Sequence, residues 1–172
     1  MVGVLEEKIK KWYPIYTQSK AEKKTAERLQ KRGIEVYLPL KRVEKQWSDR
    51  KKIVQEPLLN SYLFVKIYEN QLSEVSAVQG FARYIYFSGK IATIPDKQIE
   101  DLKLLIEGSE HLEIEETDLS AGQKVIIKSG PFKGIQAELL SLKQKRKIVL
   151  KIQNLGLSIV LNTSLKNIEK LK

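Results

Sequence analysis

A chain of 172 residues, 42% hydrophobic and 30% charged, holds one medium domain or two small ones, and without cysteine it has no disulfide, thiolate metal site or cysteine nucleophile. No apolar run approaches the ~20 residues that cross a bilayer, and the first eleven residues lack the apolar core of a secretion signal, so a cytoplasmic location is expected. Net charge is +10, from 31 Lys plus Arg against 21 Asp plus Glu, a balance that favours a polyanionic partner because neutralised phosphates release counterions.

The charge is unevenly spread. Residues 10–52 carry 14 bases and five acids, residues 110–118 five acids and no base, and residues 120–172 11 bases and two acids. A basic block, an acidic hinge and a second basic block suggest two domains, 1–108 and 120–172, joined by a linker at 109–119.

In chain order, Trp12 to Tyr16 alternates as a strand, with Pro14 at an edge or at a position whose N–H is not needed. Ser19-Lys20-Ala21-Glu22 fits a capping box and predicts a helix from Ser19 to Arg32, ended by Gly33 in a left-handed cap. Ile34 to Leu40 reads as a strand, residues 41–56 as a polar, basic hairpin or loop, and Ser61 to Ile67 as a central strand. Leu72, Val75 and Val78 predict a short helix between Asn70 and Gln79, stopped by Gly80. Arg83 to Phe87 is a further strand before Ser88-Gly89. Pro95-Asp96 opens a helix with Ile99, Leu102, Leu105 and Ile106 on one face and Gly108 at its end. The order β-α-β-β-α-β plus a helix is that of a ferredoxin-like α+β domain. After the acidic hinge, short strands at Lys124–Lys128, 136–142, 147–153, 157–161 and 165–171, with turns at Ser129-Gly130-Pro131 and Gly134, predict a small β-barrel.

Three groups of residues could carry function. On the first helix Lys20, Lys24, Arg28, Lys31 and Arg32 fall on one side, away from Glu22, Thr25, Ala26 and Leu29, and such a row can track a phosphate backbone. The competing reading is a solvated face with pairs such as Glu27 and Lys31. Among the aromatics, Tyr62 and Phe64 share a face, as do Tyr84 and Tyr86; an uncovered face would dock a protein, and a covered one is core. The Gly- and Pro-rich turn around Phe132 exhibits that ring at its tip. Catalysis finds no support: His111 is the only histidine, phosphate-binding glycine loops are absent, and neither metal-ligand nor cofactor spacing occurs.

Trp12-Tyr13, the basic helix, Pro39, Pro57-Leu58-Leu59-Asn60-Ser61-Tyr62-Leu63-Phe64-Val65 and Gly80-Phe81 together resemble the N-terminal (NGN) domain of the NusG family. Gly122-Gln123-Lys124-Val125 and Ser129-Gly130-Pro131-Phe132-Lys133-Gly134 are similar to the KOW motif of its C-terminal SH3-like barrel. The resemblance covers nearly the whole chain. It implies a monomeric transcription elongation or antitermination factor without cofactor or membrane contact. Its first domain would clasp the clamp helices of the largest RNA polymerase subunit through Tyr16, Tyr62, Phe64 and Phe87. The helix cations Lys20, Lys24, Arg28, Lys31 and Arg32 would face non-template DNA. Phe132 of the KOW domain would meet Rho or a ribosomal small-subunit protein. Asn60-Ser61 replaces the usual Pro-Gly and Gln136-Ala137 a usual glycine, departures that resemble the operon-specific paralogs RfaH and UpxY. The alternatives are a housekeeping NusG-type factor and a ribosome- or RNA-binding KOW protein.

Overall fold

The computed structural model describes residues 9–108, 113–115, 122–129, 133–142, 145–152, 157–161 and 168–171. The chain divides into two compact units, Met1–Asp96 and Lys97–Lys172.

The first unit is built on β1 (Lys11–Thr17), α1 (Glu22–Lys31), β2 (Glu35–Tyr37), β3 (Leu40–Gln46), β4 (Lys51–Pro57), β5 (Tyr62–Ile67), α2 (Leu72–Ser76) and β6 (Phe81–Tyr84). Four of the strands form an antiparallel sheet in the order β2-β5-β1-β6, the expected split β-α-β arrangement. β1 is therefore internal, and Pro14 sits there without cost. Thr17 donates to Ser61 O at 2.8 Å and Gln18 to Gly80 O at 2.9 Å, so by alternation the Pro14 nitrogen looks toward β6. Pairing with β6 begins only at Ile15, so no N–H is needed at Pro14.

α1 ends as expected but does not start as expected. Gly33, at φ +77°, donates to Gln30 O, and Ile34 donates to Leu29 O, the paired bonds of a Schellman motif. Leu29 and Ile34 are both buried in the core, which supplies the hydrophobic contact that goes with it. At the other end the Ser19 capping box is not formed. Ser19 and Lys20 lie in a turn, Lys20 at φ +59°, and the helix begins at Glu22 with no side-chain cap. The Glu22 carboxylate instead accepts the Ser61 N–H at 2.7 Å, a part-buried bond across 39 residues that takes the place of the local one.

Three further expectations shift by a few residues. Pro39 splits the second strand, so Leu40 starts the β3–β4 hairpin rather than ending β2. The second helix is a 3-10 turn, Glu69–Gln71, followed by the short α2. The strand expected at 83–87 breaks at Ile85, and β7 (Tyr86–Phe87) turns back through Ser88 and Gly89 onto β8 (Lys90–Ile91). Both turn residues have positive φ, as a two-residue hairpin turn requires.

On one face of the four-stranded sheet Tyr13, Ile15, Leu63, Val65, Ile67 and Tyr84 pack with Ala26 and Leu29 of α1 and Val75 of α2. The second unit holds α3 (Asp96–Gly108, all but its first residue), with Ile99, Leu102 and Leu105 buried, and a six-stranded antiparallel sheet. Its strands are β9 (Glu113–Glu115), β10 (Gln123–Ile127), β11 (Gln136–Leu142), β12 (Lys145–Ile152), β13 (Leu157–Leu161) and β14 (Ile168–Lys170), in the order β14-β10-β11-β12-β13-β9. The acidic hinge is thus not all linker: Glu113, Ile114 and Glu115 pair with β13. Val125, Ile127, Ile135, Ala137 and Val149 are buried, and Gly134 makes the expected bend at φ +90°. Burial works against ionisation of Glu138, but the Gly122 N–H and Lys151 hold its carboxyl below the usual range.

Two substitutions of opposite sign test this backbone. Gly80 has φ +99°, and a Cβ there runs into Thr25 Oγ1, which is itself buried. Gly80→Ala is expected to destabilise by about 1–3 kcal/mol. Ser61 sits at φ +62° without glycine's freedom, and Ser61→Gly is expected to stabilise by about 0.5–1 kcal/mol. The shift of the urea midpoint measures both.

Candidate functional site

The strand register decides what the aromatics can do. Across β1 and β5, Tyr16 faces Tyr62, Pro14 faces Phe64 and Trp12 faces Lys66, while Tyr37 of β2 faces Phe64 from the other side. These residues share the sheet face opposite α1 and α2, as the alternation implies. That face is not open. Phe64 is 0% exposed, Tyr62 7%, and Trp12 and Pro14 are buried. Tyr37 stacks on Phe64 at 6.1 Å, and the Tyr16 and Tyr62 rings lie 4.6 Å apart with their hydroxyls bonded at 2.6 Å. Phe64 and Tyr62 are therefore buried, where the sequence reading expects them in a docking patch. Period-two spacing tells which side chains share a face and not whether that face is covered.

Two members of the expected patch remain accessible. Tyr16 is half-buried, with the Arg83 guanidinium 4.5 Å from its ring centre, a cation–π contact. Phe87 is 54% exposed, and its neighbour Tyr86 63%. Tyr86 belongs to the aromatic set of the sequence but not to the patch that the resemblance implies. The signal was Ser88-Gly89 directly after it, since a turn that tight makes the preceding strand part of a small hairpin.

The cationic row is also divided by its contacts. Arg28 donates to Gln79 O at 2.9 Å and Arg32 to Glu74 O at 3.5 Å, the outer limit for such a bond. Lys31 pairs with Glu27 at 2.7 Å and, mainly through that hydrogen bond, pulls the Glu27 carboxyl below its usual range. Lys20 precedes the helix rather than riding on it. Lys20 and Lys24 are exposed, and neither has a partner among the described residues. All five are basic residues, but the free donors among them are Lys20 and Lys24. Lys23, which the sequence did not place in the row, donates to Gln55 O of β4 at 2.6 Å.

Burial pushes the Tyr84 hydroxyl well up, with Tyr13 and Tyr86 adding to the shift, and it donates to Leu72 O at 2.6 Å. Burial likewise raises Tyr13, helped by Glu69. Among the described residues no group of three or more His, Cys, Asp or Glu could hold a metal, and no helix is long and apolar enough to cross a membrane. His111 and Phe132 lie outside the described residues.

The first unit thus combines a four-stranded antiparallel sheet with an exposed aromatic hairpin and a basic helix. The chain belongs to the NusG family, described as transcription termination factor NusG, whose profile matches residues 10–103, more than half of its length. Members of that family are transcription factors and not enzymes. The chain is similar to the transcription termination/antitermination protein NusG of Borreliella burgdorferi, 22% identical, the match covering 93% of this chain and 98% of that one. Its fold is similar to a structure described as domain interaction in Thermotoga maritima NusG, at TM-score 0.53 and 21% identity, covering 95% of this chain and 98% of that one.

The division between core and exposed rings has a direct consequence. Phe64→Ala is expected to cost about 3–5 kcal/mol of stability, and Phe87→Ala to stay within about 0.5 kcal/mol. Equilibrium unfolding in urea separates the two. Equal costs would contradict the burial of Phe64 and the exposure of Phe87.

Proposed function

We propose that this chain is an operon-specific elongation and antitermination factor of the NusG family, closer in role to RfaH and UpxY than to a housekeeping member. Its NGN domain, taken as residues 1–108, docks on the clamp helices of the largest RNA polymerase subunit. The family match runs to residue 103, well into α3, which supports keeping that helix with the first domain. Residues 120–172 then form the KOW barrel, a reading supported by the antiparallel sheet there. Its partner, Rho or a ribosomal small-subunit protein, would be met near Phe132.

The single observation that carries the docking surface is the pair of exposed rings on β7, Tyr86 and Phe87. Exposed aromatics on a small, defined hairpin have the low entropy cost and large apolar area of interface anchors. Phe87 and half-buried Tyr16 stay in the surface and Tyr86 joins it, while Tyr62 and Phe64 lie buried in the sheet. Lys20 and Lys24 are the first candidates for non-template DNA, with Arg28, Lys31 and Arg32 adding field. Holding the clamp and the displaced strand together would disfavour pausing.

The specialised role is supported by Ser61. It takes the left-handed conformation at the position where housekeeping members usually carry glycine, so the departure has a structural cost that a neutral substitution would not.

Three outcomes are expected. Replacing Tyr86 and Phe87 together by Ala weakens polymerase binding at least about tenfold while the urea midpoint stays put. Charge reversal at Lys20 and Lys24 lowers the salt slope of DNA-dependent recruitment by about 0.7 per lost single-strand phosphate contact. Purified polymerase reads through a Rho-dependent terminator more often with the protein than without it. Increased termination instead would assign the housekeeping role.

A further inference from the structure

The β3–β4 hairpin contributes little to the fold. It is a separate two-stranded sheet with seven register pairs from Leu40↔Pro57 to Gln46↔Lys51, and beyond Val43 and Val54 its outer half is exposed. A two-stranded ribbon is marginally stable alone, so its sequence answers to something other than core packing. At its tip Trp47 is 55% exposed, in a loop closed by Trp47 N–H donating to Arg50 O at 2.8 Å. Residues 45–52 read Lys-Gln-Trp-Ser-Asp-Arg-Lys-Lys, four bases and one acid. Lys45 pairs with Glu56 and Lys51 with Glu44. Arg50 and Lys52 have no ion-pair partner among the described residues. The ribbon also adjoins α1 through the bond from Lys23 to Gln55 O. Its cations therefore continue the positive field that starts at Lys20 and Lys24.

We infer that this hairpin binds single-stranded DNA, with Trp47 as a platform on which a base stacks and Arg50 and Lys52 holding the flanking phosphates. The inference rests on the reading that α1 faces displaced DNA and extends that contact to a second element. An exposed indole beside free cations fits a single strand better than a duplex. Stacking needs an open base face, whereas a duplex presents base edges in its grooves and keeps the faces stacked.

The test uses the full-length chain and a short fluorescein-labelled oligothymidylate, with anisotropy for affinity and tryptophan emission for stacking. Trp12 is buried, so emission changes on titration report Trp47. Trp47→Ala is expected to weaken single-strand binding about tenfold, and Trp47→Phe, which keeps a ring, to restore most of it. Emission of the unaltered chain is quenched at saturation, and that of Trp47→Phe is not. Unchanged affinity in Trp47→Ala, or absent quenching, would overturn the inference. So would a duplex of the same length bound as tightly with the same dependence on Trp47, or an oligouridylate bound more than about tenfold tighter than the DNA. Lys24→Glu tests the α1 reading separately. If it leaves affinity unchanged while Trp47→Ala loses it, the helix assignment fails and the hairpin assignment stands.

Discussion

Pairing of β1 with β5 is the constraint from which the first unit's surfaces follow. Six residues of β1 meet six of β5 in register, which puts Tyr16 on Tyr62 and Pro14 on Phe64. Ile15, Leu63 and Val65 are sent to the helix side and Trp12, Tyr62 and Phe64 to the other, and both sets are buried. A sheet filled on two faces has no broad apolar surface left to lend. Exposed groups lie on what surrounds it: the small β7–β8 hairpin, the exposed side of α1 and the β3–β4 ribbon. These elements are where the exposed Tyr86, Phe87 and Trp47 lie.

What the sequence could reveal follows from the range of each interaction. Features set within a few residues were legible: the Gly33 cap of α1, the Pro95-Asp96 start of α3, the hairpin at 41–56 and the bend at Gly134. So was the order of elements in the four-stranded sheet, because strand and helix periods differ. Features set by distant partners were not. Glu22 looked like half of a capping box and is instead bonded to Ser61, 39 residues on. Ile114 lay in an acidic stretch with no strand signal, yet it pairs with Ile159. The aromatic site was half legible for the same reason. Spacing placed Tyr62 and Phe64 on one face, but cover over that face is a tertiary fact that no spacing carries.

The basic row at α1 is not uniform. A helical row suggested five equivalent cations, and the folded chain sorts them by what they touch. Arg28 and Arg32 reach carbonyls near α2, Lys31 is paired with Glu27, and Lys20 leaves the helix at a left-handed turn. Exposed ion pairs of that kind contribute little to stability, so their cost to a phosphate partner is small, and the whole face keeps its sign. The free groups, Lys20 and Lys24 on one element and Arg50 and Lys52 on another, are the ones able to bind a strand without first breaking a contact.

The claim on which the rest turns is that polymerase meets the edge of the first unit and not its sheet aromatics. Amide hydrogen exchange of the chain, free and bound to purified polymerase, tests it most directly. Added protection is expected at 86–91, with residues 62–67 slow in both states and unchanged. New protection at 62–67 with none at 86–91 would contradict it.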